Sequence, residues 1–271
     1  RRQRQMCIRD SYEGIIERVD FPNKGMIYIP EEEKYVTVKN GIPGQKVRFM
    51  INKFKRGNGE GRLLEVLEKS PLETREPVCS IFPACGGCMY QTMSYEEQVK
   101  MKEGQIHRIM DPVVKGDYIF ESVKESPKEF HYRNKMEFSF GDEVKDGPLS
   151  LGMHKRGSFH DIVTVDGCRI VDEDYSKILR GVLDFFTERQ VPFYHKMGHV
   201  GYLRHLLVRK AVKTGEILID LVTTTQAMEG IDTKELLSEM VSMICSLDLE
   251  GTVVGILHTE NDSVADAAVS Y

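Results

Sequence analysis

The stretch Cys79-Ser80-Ile81-Phe82-Pro83-Ala84-Cys85-Gly86-Gly87-Cys88 divides the chain and sets its reading. Its glycines let the backbone wrap closely around a compact inorganic centre and aim amide N–H groups at it. A four-thiolate site needs one more ligand. The best candidate is Cys168 in Asp166-Gly167-Cys168-Arg169, just past a strand and beside a glycine. Cys7 and Cys245 read as small apolar residues. Six cysteines in 271 residues do not make a secreted disulfide scaffold, and clustered thiols in a reducing cell more often bind metal. Iron–sulfur, zinc and no metal all stay open. Structural zinc usually arrives with two short Cys-x2-Cys-like pairs or nearby histidines, so three cysteines plus a distant fourth favour an iron–sulfur cluster, of the 4Fe-4S type.

On the N-terminal side the chain reads as short strands: Tyr12–Val19, Met26–Ile29, Lys34–Lys39, Lys46–Lys53 and Arg62–Leu67. Turn chemistry separates them, as in Pro22-Asn23-Lys24-Gly25 and Gly57-Asn58-Gly59-Glu60-Gly61. Five strands in about sixty residues is the arithmetic of an OB-like barrel, a fold that commonly binds oligonucleotides. Lys53-Phe54-Lys55-Arg56 sets an aromatic among cations, as base stacking plus phosphate contact requires. Phe54 as a plain core residue is the alternative.

On the C-terminal side, Ser94-Tyr95-Glu96-Glu97 forms a capping box that opens a helix over 95–110. Arg133–Phe140, Leu149–His154 and Phe159–Val165 read as a three-stranded antiparallel meander. Asp174 caps a helix over Tyr175–Arg189. Tyr202–Val212 and Glu216–Thr224 make a hairpin, followed by a helix over Thr233–Ser246 and a strand over Thr252–His258. The expected domains are 1–68 (barrel), 69–93 (linker and cysteine loop) and 94–271 (α+β, with a mostly antiparallel sheet).

The net charge of −5 hides an asymmetry: residues 1–70 carry 15 Lys and Arg against 10 Asp and Glu, while 220–271 carry ten acids against Lys234. Arg189–Gly215 contains no acid, six Lys or Arg and three histidines. A polyanion is therefore expected at the N-terminal domain and the 189–215 stretch. No run of eighteen apolar residues and no secretory signal is present, which points to a cytoplasmic protein. Both ends read as cut, with no initiator Met and no helix stop signal at Tyr271.

The barrel followed by Cys79-x5-Cys85-Gly-Gly-Cys88 and a remote Cys168 resembles the iron–sulfur-containing RNA uracil-5-methyltransferase family. Phe130-His131-Tyr132-Arg133-Asn134-Lys135-Met136-Glu137-Phe138 looks like that family's central-domain strand, as do Leu151–Ser158 and Gly198–Arg204. Residues 10–68 look like its N-terminal TRAM domain. The resemblance implies S-adenosylmethionine as cofactor and RNA as partner, ribosomal more than transfer RNA, with a monomeric protein. A catalytic Cys would add to C6 of a flipped uridine, whose C5 takes the methyl group before a base removes the C5 proton.

Neither a Gly-rich cofactor loop nor a nucleophile segment is found, so the expectation is a chain that stops before a Rossmann-like catalytic domain and is inactive alone. No catalytic residue is assigned. The expected metal ligands are Cys79, Cys85, Cys88 and Cys168. The expected RNA contacts are Lys53, Lys55, Arg56, Arg133, Lys135, His154, Arg156, Arg204 and His205, each with an ordinary exposed cation as the alternative. The rival function is a stand-alone RNA-binding iron–sulfur protein. A methylthiotransferase fits poorly, because five residues and not three separate Cys79 from Cys85.

Overall fold

The computed structural model describes residues 11–55 and 57–264. Cys7 and Arg56 lie outside the described residues. By contacts the chain forms two units, 1–77 with 89–127 and 78–88 with 128–271. The cysteine loop thus belongs with the second unit, and residues 94–127 with the first.

In the first unit β1 (Ser11–Asp20), β2 (Lys24–Ile29), β3 (Lys34–Val38), β4 (Lys46–Lys55) and β5 (Asn58–Glu68) close a barrel in the order β1-β2-β3-β5-β4. β1 pairs antiparallel with both β2 and β4, and β3 with β5 in parallel, which leaves no open edge. A register shift between Ile16 and Arg18 turns both Ile16 and Val19 inward although they are three residues apart. They join Ile27, Val36, Val38, Val47, Phe49 and Ile51 in the barrel core. Helix α1 (Tyr95–Met110) is capped by the Ser94 hydroxyl, which accepts from Glu97 N at 3.3 Å. Its buried Gln105 donates to the Val19 carbonyl at 3.0 Å, and Arg108 pairs with Asp20 at 3.0 Å.

The second unit holds a six-stranded sheet in the order β11-β10-β9-β6-β7-β8, from β6 (Lys135–Asp142), β7 (Leu149–His154), β8 (Ile162–Thr164), β9 (Leu203–Lys210), β10 (Glu216–Thr223) and β11 (Thr252–Glu260). Its pairings are antiparallel, in line with a mostly antiparallel sheet, except the last, where β11 runs parallel to β10. A helix, α3 (Thr233–Cys245), separates these two strands, and a parallel neighbour needs such a crossover. Helix α2 (Glu173–Glu188) buries Tyr175, Ile178, Leu179, Val182, Leu183, Phe185 and Phe186. Phe186 meets Phe140 of β6 edge-on at 5.8 Å, joining helix to sheet.

The cap of α2 also differs from expectation. Asp172, not Asp174, caps it, accepting from Asp174 N at 3.1 Å. Asp174 is instead 1% exposed and accepts from Lys210 Nζ at 2.7 Å and from the backbone N–H of Glu250 and Gly251 at 2.8 and 2.9 Å. One carboxylate thereby ties α2 to β9 and to the turn before β11.

Candidate cysteine centre and nucleic-acid interface

The loop 79–88 is shaped by its own backbone before any side chain acts. Phe82 N donates to Cys79 O and Cys85 N to Ile81 O, both at 3.2 Å. The loop then docks along the end of β7: Gly86 N donates to His154 O at 3.0 Å and Arg156 N to Ala84 O at 2.7 Å. Position 86 requires glycine here, since a Cβ would lie 3.0 Å from the His154 carbonyl oxygen. Cys168 sits in a turn closed by Cys168 N to Val165 O at 3.1 Å.

The four sequence-predicted cysteines are brought together. Cys79 is buried, and Cys85, Cys88 and Cys168 are half-buried. Burial pushes the Cys85 thiol up. The Gly87 N–H, 3.3 Å from its sulfur, opposes this, while Cys88 and Cys79 add to the rise. Burial likewise raises Cys168 against backbone N–H donors of Ile170 and Val171, again with Cys88 and Cys79 adding. Cys85 and Cys168 therefore each lie within electrostatic reach of both Cys88 and Cys79. Cys245 is exposed on α3 and apart from this loop in role.

Arg156 is the cation of the site. Its guanidinium donates to the Cys88 carbonyl and lies 5.3 Å over the Phe82 ring, while its buried Nε has no partner. Burial draws this guanidinium down, against an upward pull from Cys85 and Cys88. A buried donor without a partner is costly unless an anion meets it, and a thiolate-bound centre would supply one. Among the described residues, no group of three or more His, Cys, Asp or Glu is arranged to hold a metal ion. Four thiols, N–H···S contacts and one buried cation are a donor set of the kind that holds a thiolate-ligated metal centre.

The expected RNA contacts divide by burial. Lys53 is exposed and paired with Glu60 at 2.9 Å. Phe54 is exposed, with Lys34 Nζ 5.4 Å from its ring centroid, so it is not a core residue. Lys55 lies on β4. Arg133 and Lys135 are exposed, with Arg133 Nε donating to Lys135 O at 3.1 Å. Lys135 stands directly opposite Arg209 on β9, also exposed, and neither has an acidic partner among the described residues. Like charges set opposite each other cost stability, so the pair favours an anion. His154 and Arg156 are half-buried at the cysteine loop.

Arg204 and His205 need correction as RNA contacts. Arg204 is 3% exposed, donates to the carbonyls of Asn261 and Ser263 at 2.6 and 2.8 Å, and lies over the Tyr194 ring. His205 is 7% exposed, with its ring 3.3 Å from the Ser139 hydroxyl. Leu203–Leu206 are buried in succession at this end of β9, and Arg209 near its other end carries the exposed charge.

No family model matches the chain. It is 43% identical over 254 residues to an uncharacterized RNA methyltransferase of Caldanaerobacter subterraneus, covering 94% of this chain and 54% of the relative. An uncharacterized RNA methyltransferase of Clostridium tetani is 44% identical with the same coverage of both chains. The solved tRNA (uracil-54, C5)-methyltransferase of Pyrococcus abyssi, in complex with S-adenosyl-L-homocysteine, shares the fold with a TM-score of 0.62 at 19% identity. That match covers 96% of this chain and 53% of the other. With 96% of this chain aligned to that fold, the expected description of the fold by an absent Rossmann-like domain is corrected to a five-stranded barrel followed by a six-stranded sheet. Inactivity of the chain alone loses its basis with that description. The chain spans about half the length of the curated relatives it matches, and over 94% of its own residues it is similar to proteins named RNA methyltransferases.

Proposed function

We propose that this chain supplies RNA recognition and a 4Fe-4S centre to an S-adenosylmethionine-dependent RNA uracil-5-methyltransferase, with ribosomal RNA as the target. The observation that carries the reading is the gathering of Cys79, Cys85 and Cys88 with Cys168, eighty residues further on, with the buried Arg156 guanidinium beside Cys85 and Cys88. The relatives' names support RNA methylation, and the uracil C5 position comes from the sequence resemblance and the Pyrococcus structure. When bound, the cluster would have all four irons ligated by protein and would act as a structural centre. It would fasten the 79–88 loop to the 154–170 segment. Lys53, Lys55, Arg133, Lys135 and Arg209 are the proposed phosphate contacts, with Phe54 as a stacking surface.

Anaerobic reconstitution with iron and sulfide tests the centre. About four irons per chain with broad visible absorption is expected, and Cys168→Ala should lose most of both. One zinc in a colourless protein would replace the cluster by a zinc site. Methyl transfer to a 23S rRNA fragment against tRNA, with the full-length protein, tests the substrate; preference for tRNA would overturn the ribosomal target.

A further inference from the structure

Between α2 and β9 the chain makes a short loop, 193–201, that the fold holds with more bonds than a connector needs. His195 N donates to Val200 O, and His199 N to His195 O, each at 2.8 Å. Tyr194 N bonds Leu203 O at 2.8 Å, and its hydroxyl meets His199 Nδ1 at 3.0 Å. Gln226 clamps the far side, accepting from Gly201 N at 3.0 Å and donating to His199 O at 2.9 Å. Gly201 sits at φ 122°, where a Cβ would strike the Phe193 carbonyl. The result is a rigid stalk whose tip carries Met197, 83% exposed, with Val200 64% exposed beside it.

A cleft of about 340 Å³, within the range of small-ligand sites, runs along this loop and is lined by Met197 itself. Phe193 and His195 form one wall, their ring centroids 4.1 Å apart. Lys145 and Lys196 line it together with Asp142 and Asp161. This mixture of cations and acids is not a phosphate trap. It offers two rings tilted 39° to each other, together with both donors and acceptors for a nucleobase edge.

We propose that Met197 is a wedge that enters a base step of the bound RNA and that the adjoining cleft takes up the nucleotide it displaces. Apolar side chains, methionine among them, are used in this way to unstack nucleic acids, and a ring wall then holds a base without regard to sequence. The inference rests on the RNA-binding reading above and adds to it a second base site, separate from any site of methyl transfer.

The test uses hairpin RNAs carrying 2-aminopurine at successive loop positions, since its fluorescence rises on unstacking. With the wild-type protein, fluorescence should rise severalfold at one or two positions. Met197→Ala should abolish most of that rise and weaken binding about fivefold or more, on the order of one lost base stack. Its dependence on salt should not change, because no phosphate contact is removed. Met197→Leu should restore the rise, and thermal melts of both variants should match wild type, as the side chain is exposed. An undiminished rise in Met197→Ala, or no rise at any position with RNA that the wild type binds, overturns the wedge and leaves the RNA-binding reading in place. Failure of the wild-type protein to bind any of the RNAs overturns both.

Discussion

Replacing Lys210 with methionine should cost the second unit about 3 to 5 kcal/mol at pH 7, the cost of stripping one partner from a buried ion pair. The Lys210 ammonium lies 2.6 Å from Asp172 and 2.7 Å from Asp174, and its side chain is only 13% exposed. Methionine keeps the apolar stem but strands the Asp174 carboxylate, 1% exposed, on two backbone N–H donors. For a unit of roughly 150 residues this lowers Tm by about 6–20 °C, readable by circular dichroism. The pH dependence has a definite sign. Burial pushes Asp174 up, but the Lys210 hydrogen bond and the two backbone donors outweigh it, so its pKa is lowered. Its stabilisation is present above the ordinary carboxylate value near 4 and is lost as pH falls through the lower folded value. Burial lowers Lys210 while Asp172 and Asp174 raise it further, so its contribution holds below about pH 10 and is lost as pH rises through the higher folded value. Without Lys210 the Asp174 pKa climbs and protonation relieves the variant, so the gap to wild type narrows between pH 7 and pH 5. A loss below about 1 kcal/mol, the range of surface pairs, or an equal gap at both pH values refutes this account. Adding Asp174→Asn to Lys210→Met should recover part of the loss.

Gly86→Ala should push the cysteine loop off the His154 carbonyl, and iron retained after anaerobic reconstitution should fall while a Tm change stays within a few degrees; full retention speaks against the docking role. Lys135→Ala with Arg209→Ala should reduce the salt slope of RNA binding by about 1 to 2 and leave the protein as stable or slightly more so, since a repulsive pair is removed. An unchanged slope in a fluorescence-anisotropy salt series takes both off the interface. Phe186→Ala should destabilise by about 3–5 kcal/mol in urea melts, being 0% exposed between α2 and Phe140; a loss near 1 kcal/mol would mean that the core there collapses to fill the gap.

Much of the architecture was legible because it rests on local pattern. The five barrel strands and the Ser94 cap follow from alternation, turn residues and a capping box, all short-range signals. The parallel pairing of β11 with β10 was also signalled by the helix between them, yet reading 216–260 as hairpin-and-strand pieces hid it. Other features depend on partners far along the chain. Asp172 and Asp174 are equally good caps in sequence, and only Lys210, 36 residues on, decides which of them turns inward. Arg204 and Arg209 look alike in an acid-free stretch, but the carbonyls of Asn261 and Ser263 claim the first. The closeness of Cys79, Cys85 and Cys88 was legible because a short spacing forces it, while their approach to Cys168 depends on the fold. Arg156 as their counter-charge was not legible, because its register with Cys88 appears only once the loop docks.

The path of the chain between its two units has a consequence during synthesis. Cys79, Cys85 and Cys88 leave the ribosome while the strands they dock on, and Cys168 itself, are still unmade. At about 5–20 residues per second, the eighty residues from Cys88 to Cys168 take on the order of 4–16 s. Throughout that interval the first three thiols hang from a nascent loop with neither the His154 carbonyl nor Arg156 beside them. Ribosome-bound chains arrested before residue 150 should therefore react with an alkylating reagent at all three cysteines, and chains arrested well past Cys168 should be protected. The order of manufacture makes the gathering of the four thiols a late event, completed by its last-made member.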